Sequence, residues 1–490
     1  MLTSDQNRKI NEIVEEFKEA ADFYRMEYSE DLMGMFRDFG CMLLLKCKVD
    51  TEGKADLERL LEGRHKLKGT VKRQLMTVSE ELAQLWEPGE QDGSGDTGEY
   101  EGSQNVREMF QTALEEIFHF CLYSKGGKNR YLLPEETAKP LLRLLTFPEG
   151  MMAGNEGLVV LDTQCGAGSA LMAASRYLKN LRLMGYEKDE EMWAAAVIMS
   201  QLSGLEMELH LEDGARADLY ESCDLVISNP VYGTDTIKDE ELIDQLPGEL
   251  KTVRGRYHME LIRSMQALNF DGKAMLIVPN SFLFANRTES MKVRKWLLQS
   301  YSLEAIISLP EDTFMYSGVR SGVMVFSKPF MSGGWEGHTQ RVLYYNLEKQ
   351  EDKEKQQKEY ERLEEVWSQR DSYYGKWERS RREKTVENRN GIKVPANWQY
   401  NSFWFADVDQ IEAGKWNLLP ENYRPVLRSP SEPSIHERGK VVFQLRVRGQ
   451  YRENILVAAV QKLDGMGKRA ILPVLIDFEI PDNAGKQNDR

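Results

Sequence analysis

The sequence predicts an α/β chain: a mostly parallel sheet with helices on both faces, preceded by a helical segment and followed by a helical and mixed C-terminal region. Two observations carry that prediction. Between about residues 125 and 345, short apolar runs alternate with stretches of helical spacing, and strands separated by helices need crossover connections that cover a parallel sheet on both sides. One of those runs ends in an aspartate and a glycine-containing turn that leads straight into a helical stretch, a junction from which such sheets build a ligand pocket.

In chain order, residues 1–86 place Ile10, Ile13, Val14 and Phe17, then Met33, Phe36, Met42 and Leu43, at the spacing of amphipathic helices, so a helical N-terminal domain is expected. Glu87 to Gln104, EPGEQDGSGDTGEYEGSQ, joins glycines, acids and serines without a periodic apolar residue and reads as a flexible linker. A helix over Val106 to Ser124 opens the α/β domain, assigned to residues 105–346. Strands are expected at Leu158 to Leu161, Leu183 to Tyr186, Leu225 to Ile227, Ala274 to Val278, Ala305 to Leu309, Val323 to Phe326 and Val342 to Tyr345. Residues 347–394 are dense in charge of both signs, with no proline from Glu348 to Glu387, the pattern of a long solvated helix or helix pair. Residues 395–490 hold an aromatic cluster (Trp398, Tyr400, Phe403, Trp404, Phe405, Trp416) and a final β/α-like piece, and are assigned to partner docking.

Apolar residues make up 41% of the 490, which supports a sizeable core divided over two or three domains and excludes wholesale disorder. Lys and Arg total 64 against 79 Asp and Glu, a net charge of −15 that repels a polyphosphate and argues against autonomous, tight DNA binding. The five cysteines (Cys41, Cys47, Cys121, Cys165, Cys223) are odd in number and form no CxxC pair, which argues against a disulfide framework and a structural zinc site. The polar start, MLTSDQNRKINEIVEEF, lacks the apolar centre of a secretory signal, and no stretch reaches the roughly 18 to 20 apolar residues of a membrane span; a cytoplasmic location is expected.

Chemistry concentrates in four places. In LDTQCGAGSAL, Leu161 to Leu171, an apolar run ends at Asp162, and Gly166 and Gly168, having no Cβ, would let the backbone approach a nucleotide-like ligand; such turns also serve packing alone. Glu187 closes the next run some twenty residues on, where an acid can accept from both hydroxyls of a ribose. Asp213, in LEDGARAD, could accept from the exocyclic amino group of an adenine, although either acid taken singly also reads as a solvated loop residue. In DLVISNPVYG, Asn229 and the exposed carbonyl of Pro230 can grip the two hydrogens of a planar amino group while Tyr232 stacks on its ring. Two acceptors on those N–H bonds draw an otherwise delocalised nitrogen toward a tetrahedral, nucleophilic shape, which lowers the barrier without a general base.

These motifs, in this order, resemble the amino-methylating DNA adenine methyltransferases, and among them the modification subunit of type I restriction-modification systems. The resemblance runs over roughly Gly126 to Lys328 and includes GKNRYLLPEETAKPLLRLL, where Tyr131 and Pro134 stand at positions that contact the methionine end of the cofactor. LDTQCGAGSAL, with Asp162, Cys165, Gly166 and Gly168, is similar to the family's cofactor loop; Glu187 matches its ribose acid, Asp213 its adenine acid, and SNPVY its catalytic tetrad. The stretch Gly272 to Lys328 is similar nearly throughout to modification subunits, and a weaker similarity returns at Trp398 to Pro425. The resemblance implies a class I, Rossmann-like methyltransferase sheet of seven strands with one reversed. It implies S-adenosyl-L-methionine as donor, the 6-amino group of a flipped adenine as acceptor, and DNA reached through a separate specificity subunit, with a restriction subunit as a further partner. Flipping costs a few kcal/mol and is offset by stacking on Tyr232.

The sequence departs from that pattern at Thr163 and Ala167 in the cofactor loop, at Leu133 before Pro134, and at Val231, where the tetrad has a second proline. Losing that ring frees the turn backbone, and a misplacement of about 1 Å can cost about 100-fold in rate. The alternative reading is therefore a methyltransferase-like binding or regulatory subunit impaired in catalysis. A third, methylation of a protein glutamine by a similar Asn-Pro motif, is disfavoured by the long match after Gly272.

Overall fold

The computed structural model describes residues 2–28, 31–50, 54–62, 67, 69–86, 97–124, 132–145, 147, 157–230, 235–311, 313–314, 319–329, 339–425, 456–463 and 469–476. Residues 1–428 form one compact unit and residues 429–490 a second. In the second, β12 (Leu456–Leu463) and β13 (Arg469–Ile476) pair antiparallel as a two-stranded sheet.

The first unit is built on a nine-stranded sheet. Its strands are β1 (Leu158–Asp162), β2 (Leu181–Glu187), β3 (Met207–Leu211), β4 (Cys223–Ser228), β5 (Leu268–Pro279), β6 (Ser302–Ser308), β7 (Ser321–Ser327), β8 (Arg341–Asn346) and β11 (Phe403–Asp407), in the order β11-β8-β6-β7-β5-β4-β1-β2-β3. From β3 to β6 this is the expected seven-stranded arrangement with one reversed strand, since β7 runs antiparallel to both β5 and β6. Two further strands extend it: β8 lies parallel to β6, and β11 closes the edge antiparallel to β8. The extension has a side-chain cause. Tyr344 and Trp404 stack with ring centroids 6.2 Å apart, Tyr344 and Tyr423 at 5.3 Å, so part of the aromatic cluster that lies in the segment assigned to docking covers the edge of β8.

The chain crosses from β1 outward through β2 to β3, then returns to place β4 on the other side of β1. That reversal leaves a crevice at the carboxyl ends of β1 and β4, the place where open α/β sheets bind ligands.

The chain opens with the helices α1 (Ser4–Glu27), α2 (Met33–Lys46), α3 (Ala55–Glu62), α4 (Gly69–Ala83) and α5 (Thr97–Leu122). The last begins inside the stretch read as a linker, so residues 97–104 are helical; residues 87–96 lie outside the described residues. These helices share one apolar core with the sheet. Then follow α6 (Glu135–Arg143), α7 (Ser169–Tyr177) and α8 (Glu190–Leu202), and α2 lies directly on α8. Gly40 makes that approach possible, because a Cβ there would stand 2.4 Å from Ile198 Cδ1 and 2.8 Å from its Cγ atoms. Arg37, nearly buried, pairs with Glu190 across the same contact.

Past β4 come α9 (Glu240–Asp244), α10 (Arg256–Gln266), α11 (Asn280–Phe284) and α12 (Thr288–Ser300). The charged segment forms a helix pair, α13 (Lys353–Ser368) and α14 (Arg370–Glu383), ending in a small hairpin of β9 (Thr385–Glu387) and β10 (Lys393–Pro395). It is more than a solvated face: Trp367 and Trp377 are buried, and Trp377 meets Trp398 edge-on at 5.0 Å. A short helix, α15 (Val408–Ala413), follows β11. Arg294 of α12 is fully buried, donating to the carbonyls of Trp416, Phe282 and Ala285, and so fastens this C-terminal part to the loop after β5.

Gly40→Val should force α2 away from α8 and cost about 1–3 kcal/mol by overpacking. A urea midpoint equal to that of the unsubstituted chain would refute the packing described.

Candidate functional site

The site is assembled at the ends of four neighbouring strands. β1 delivers Asp162, and the chain then turns through Gly166 (φ 55°) and Gly168 (φ 76°) into α7, for which Gly168 is the cap. Both backbone conformations lie in the left-handed region that glycine tolerates without strain. The reason for Gly168 differs from the one its sequence context suggests. A Cβ there would meet Met207 at 3.3 Å and Ala196 at 3.6 Å, so this glycine serves close packing of the turn on α8 and β3, while Gly166 has open space apart from Met192 Cε at 3.5 Å.

Glu187, at the end of β2, reaches back to this turn. Its Oε2 accepts the Gly166 amide at 3.1 Å and its Oε1 the Asp189 amide at 2.7 Å, while the Cys165 amide donates to the Tyr186 carbonyl at 2.9 Å. Asp162 accepts the Gln164 amide at 3.0 Å and is 2% exposed. Burial pushes its carboxyl up to about 7, with the charge of Glu187 adding to the effect; Glu187 is itself raised by burial. Among the described residues no lysine or arginine pairs with either acid. Two desolvated carboxylates side by side suit a cationic ligand, whose charge would favour their ionised forms.

Cys165 takes part differently from its place in the motif. Its thiol is buried and faces β2, where a Cβ on Gly185 would stand 2.8 Å from the sulfur, and burial holds the thiol well above its ordinary range. What Cys165 offers the turn is backbone. The turn is also anchored from beneath by a 2.6 Å hydrogen bond between the buried hydroxyls of Thr163 and Ser264 of α10.

Asp213 follows β3 and is brought to the turn by Gly214, a residue the sequence reading passed over. A Cβ on Gly214 would lie 2.3 Å from the Thr163 carbonyl oxygen, so glycine is required for the two loops to touch. The visible signal was a glycine beside an acid in LEDGARAD. Asp213 is also engaged by a residue no motif indicated: Arg256 Nη2 stands 2.5 Å from its Oδ2.

Asn229 and Pro230 extend β4 just past the sheet, Asn229 half-buried and Pro230 buried. The parallel pairing of Leu161 with Val226 puts them beside the glycine turn at the same end of the sheet. Pro134 caps α6, which is tied to α7 through Glu135, hydrogen-bonded to Tyr177 at 2.8 Å and paired with Arg176. Tyr131, Val231 and Tyr232 lie outside the described residues. The structure therefore gathers Asp162, Gly166, Glu187 and Asp213 around one turn, with Asn229 and Pro230 on the adjoining strand end.

The family model of N-6 DNA methylases matches residues 107–428. A methylase subunit of a type I restriction enzyme from Methanocaldococcus jannaschii is 24% identical over 298 residues, 56% of this chain and 47% of that one. The chain spans less than half the length of the curated relatives it matches. The methyltransferase subunit of a type I restriction-modification system from Streptococcus thermophilus superposes with a TM-score of 0.53 at 16% identity, covering 85% of this chain and 99% of that one. A protein from Listeria monocytogenes described as a class I S-adenosylmethionine-dependent methyltransferase superposes at 0.51 and 18% identity, over 74% and 99%. The fold is that of the class I methyltransferases.

Asp162 gives the site a signature in pH. Its folded value, about 7, lies above the ordinary 3.8, so between those values the unfolded chain releases a proton that the folded chain keeps, and stability falls as pH rises through the interval. Glu260, also raised to about 7, titrates in the same window, so the readout is the difference between variant and parent. Asp162→Asn should flatten the melting temperature between pH 4 and 7 and gain on the order of a few kcal/mol at pH 8. Parallel curves for the two proteins would rule out a buried, proton-holding Asp162.

Proposed function

Because the chain belongs to the N-6 DNA methylase family, we propose that it methylates the 6-amino group of adenine in DNA, as the modification subunit of a restriction-modification complex. The observation that carries this reading is the clamp of Glu187 on the Gly166 amide directly beside the Asn229-Pro230 strand end. S-adenosylmethionine, when bound, supplies an electrophilic methyl group on a sulfonium centre. Asp162 and Glu187 suit the positive charge of that donor, and Glu187 and Asp213 are the acids assigned to its ribose and adenine. Asn229 and the Pro230 carbonyl accept from the target amino group and orient its nitrogen lone pair toward the methyl, so attack needs geometry and not prior deprotonation; the methyl's bond to sulfur breaks as its bond to nitrogen forms, and the surplus amino proton leaves to solvent.

The charge of −15 supports a partner that carries DNA recognition, because the phosphates repel a chain of this sign. That partner is a specificity subunit, with a nuclease subunit as a further associate, and residues 395–490 are the region assigned to docking. A DNA substrate places the chain in the cytoplasm; no helix among the described residues is long and apolar enough to cross a membrane.

With its specificity partner and DNA, the chain should transfer labelled methyl groups. Asn229→Ala should reduce transfer by at least about 100-fold while leaving S-adenosylmethionine binding unchanged, the size of loss seen when one preorganised hydrogen-bonding group is removed. Transfer at the parent rate by the variant would refute the role given to Asn229; cofactor binding without transfer by the parent would favour the regulatory reading.

A further inference from the structure

An arginine in the first turn of a helix faces the positive end of the helix dipole and is disfavoured there unless acids offset it. Arg256 opens α10 in that position, with no side-chain cap from Gly255. Its guanidinium lies between two carboxylates, Asp213 Oδ2 at 2.5 Å and Glu260 Oε1 at 2.9 Å. Glu260 is 4% exposed, and the Gln164 side chain of the glycine turn is among the groups that act on its carboxyl. One arginine thus joins the loop after β3 to a buried acid of its own helix.

The backbone of the same residue holds a third element. The Arg256 amide donates to the Asp235 carbonyl at 2.8 Å, the Ile237 amide donates to the Arg254 carbonyl at 2.7 Å, and Thr236 forms an antiparallel bridge with Gly255. Residues 235–237 lie on the segment that leaves the Asn229-Pro230 motif. Glu289 of α12 fixes the base of this joint, accepting the Arg254 and Gly255 amides at 3.0 and 3.1 Å. Beyond it, Asp239 caps α9 and pairs with Arg216, which also stands 3.8 Å from Asp213 Oδ2.

We propose that Arg256 is a positioning residue that couples occupancy of the adenosine site to the segment following the target-base motif, an inference that rests on the methyl-transfer reading above. Asp213 is the shared element: a ligand amino group donating to its carboxylate draws on the same charge that Arg256 grips. Arg256 in turn holds Asp213 in one orientation and keeps residues 235–237 stitched to α10. Cofactor and target base are then felt by one another through a side chain that touches neither.

The test is hydrogen exchange on the full chain with S-adenosylhomocysteine, which carries the adenosine moiety but transfers nothing. In the parent, the ligand should slow exchange of the amide at Gly166, which reports the site, and of the amides at Ile237 and position 256, which report the joint. Arg256→Gln should bind about tenfold more weakly, within the range of ordinary coupling effects, and at saturation protect Gly166 but leave the two joint amides at their ligand-free rates. Arg256→Lys, which keeps the charge, should recover part of that protection and decides the matter if the glutamine variant does not fold. Parent-like protection of both joint amides in the variants would overturn the coupling while leaving the methyl-transfer reading intact. Failure of the parent to bind S-adenosylhomocysteine would overturn both.

Discussion

The bond from the Gly166 amide to the Glu187 carboxylate joins the ends of two neighbouring strands, and the rest of the site is arranged around it. It needs three things at once: a left-handed glycine to aim the amide, an acid placed at the final residue of β2, and a sheet register that sets those strand ends level. The register supplies the last, pairing Asp162 with Gly185 so that the acid overshoots the turn by two residues and can fold back onto it. Desolvation follows from the same arrangement, because a turn pinned this closely shuts water away from Asp162 and lifts its carboxyl far above the ordinary value.

The switch in strand order makes the second half of the site adjacent to the first. β4 pairs with β1 on the side opposite β2, so the Asn229-Pro230 exit and the glycine turn leave the sheet at the same edge. Asn229 follows directly on β4, whose backbone is paired with β1 on one side and β5 on the other. A site whose two halves hang on neighbouring strands has its spacing fixed by backbone hydrogen bonds and not by side-chain adaptation, as the proposed transfer between two positioned ligands would require.

Much of this was legible from apolar runs and small motifs. The strands buried on both faces, such as β4 and β5, announce themselves as continuous runs of Val, Ile, Leu and Met. β3 was passed over because MELHL, at the sheet edge, buries only Leu209 among its five residues and so looks half polar. β11 was hidden because aromatic residues at 403–405 fit several contexts until β8 is there to receive them. In the site itself, glycine and acid motifs located the turn, but not the reason for Gly168, whose absent side chain makes room for Met207. Least legible was Arg256, 43 residues from the acid it grips, since an ion pair between distant segments leaves no local pattern.

The meeting of α2 with α8 bears on how the chain can be divided. The acidic, glycine-rich stretch after residue 86 looks like a natural place to cut, yet Gly40 lies against Ile198, and Ile198 belongs to the helix that starts three residues after Glu187. A fragment beginning after that stretch would bare the greasy outer face of α8 and leave the helix that follows Glu187 unsupported. The leading helices are the back wall of the sheet's fold, and the smallest piece able to stand alone must include them.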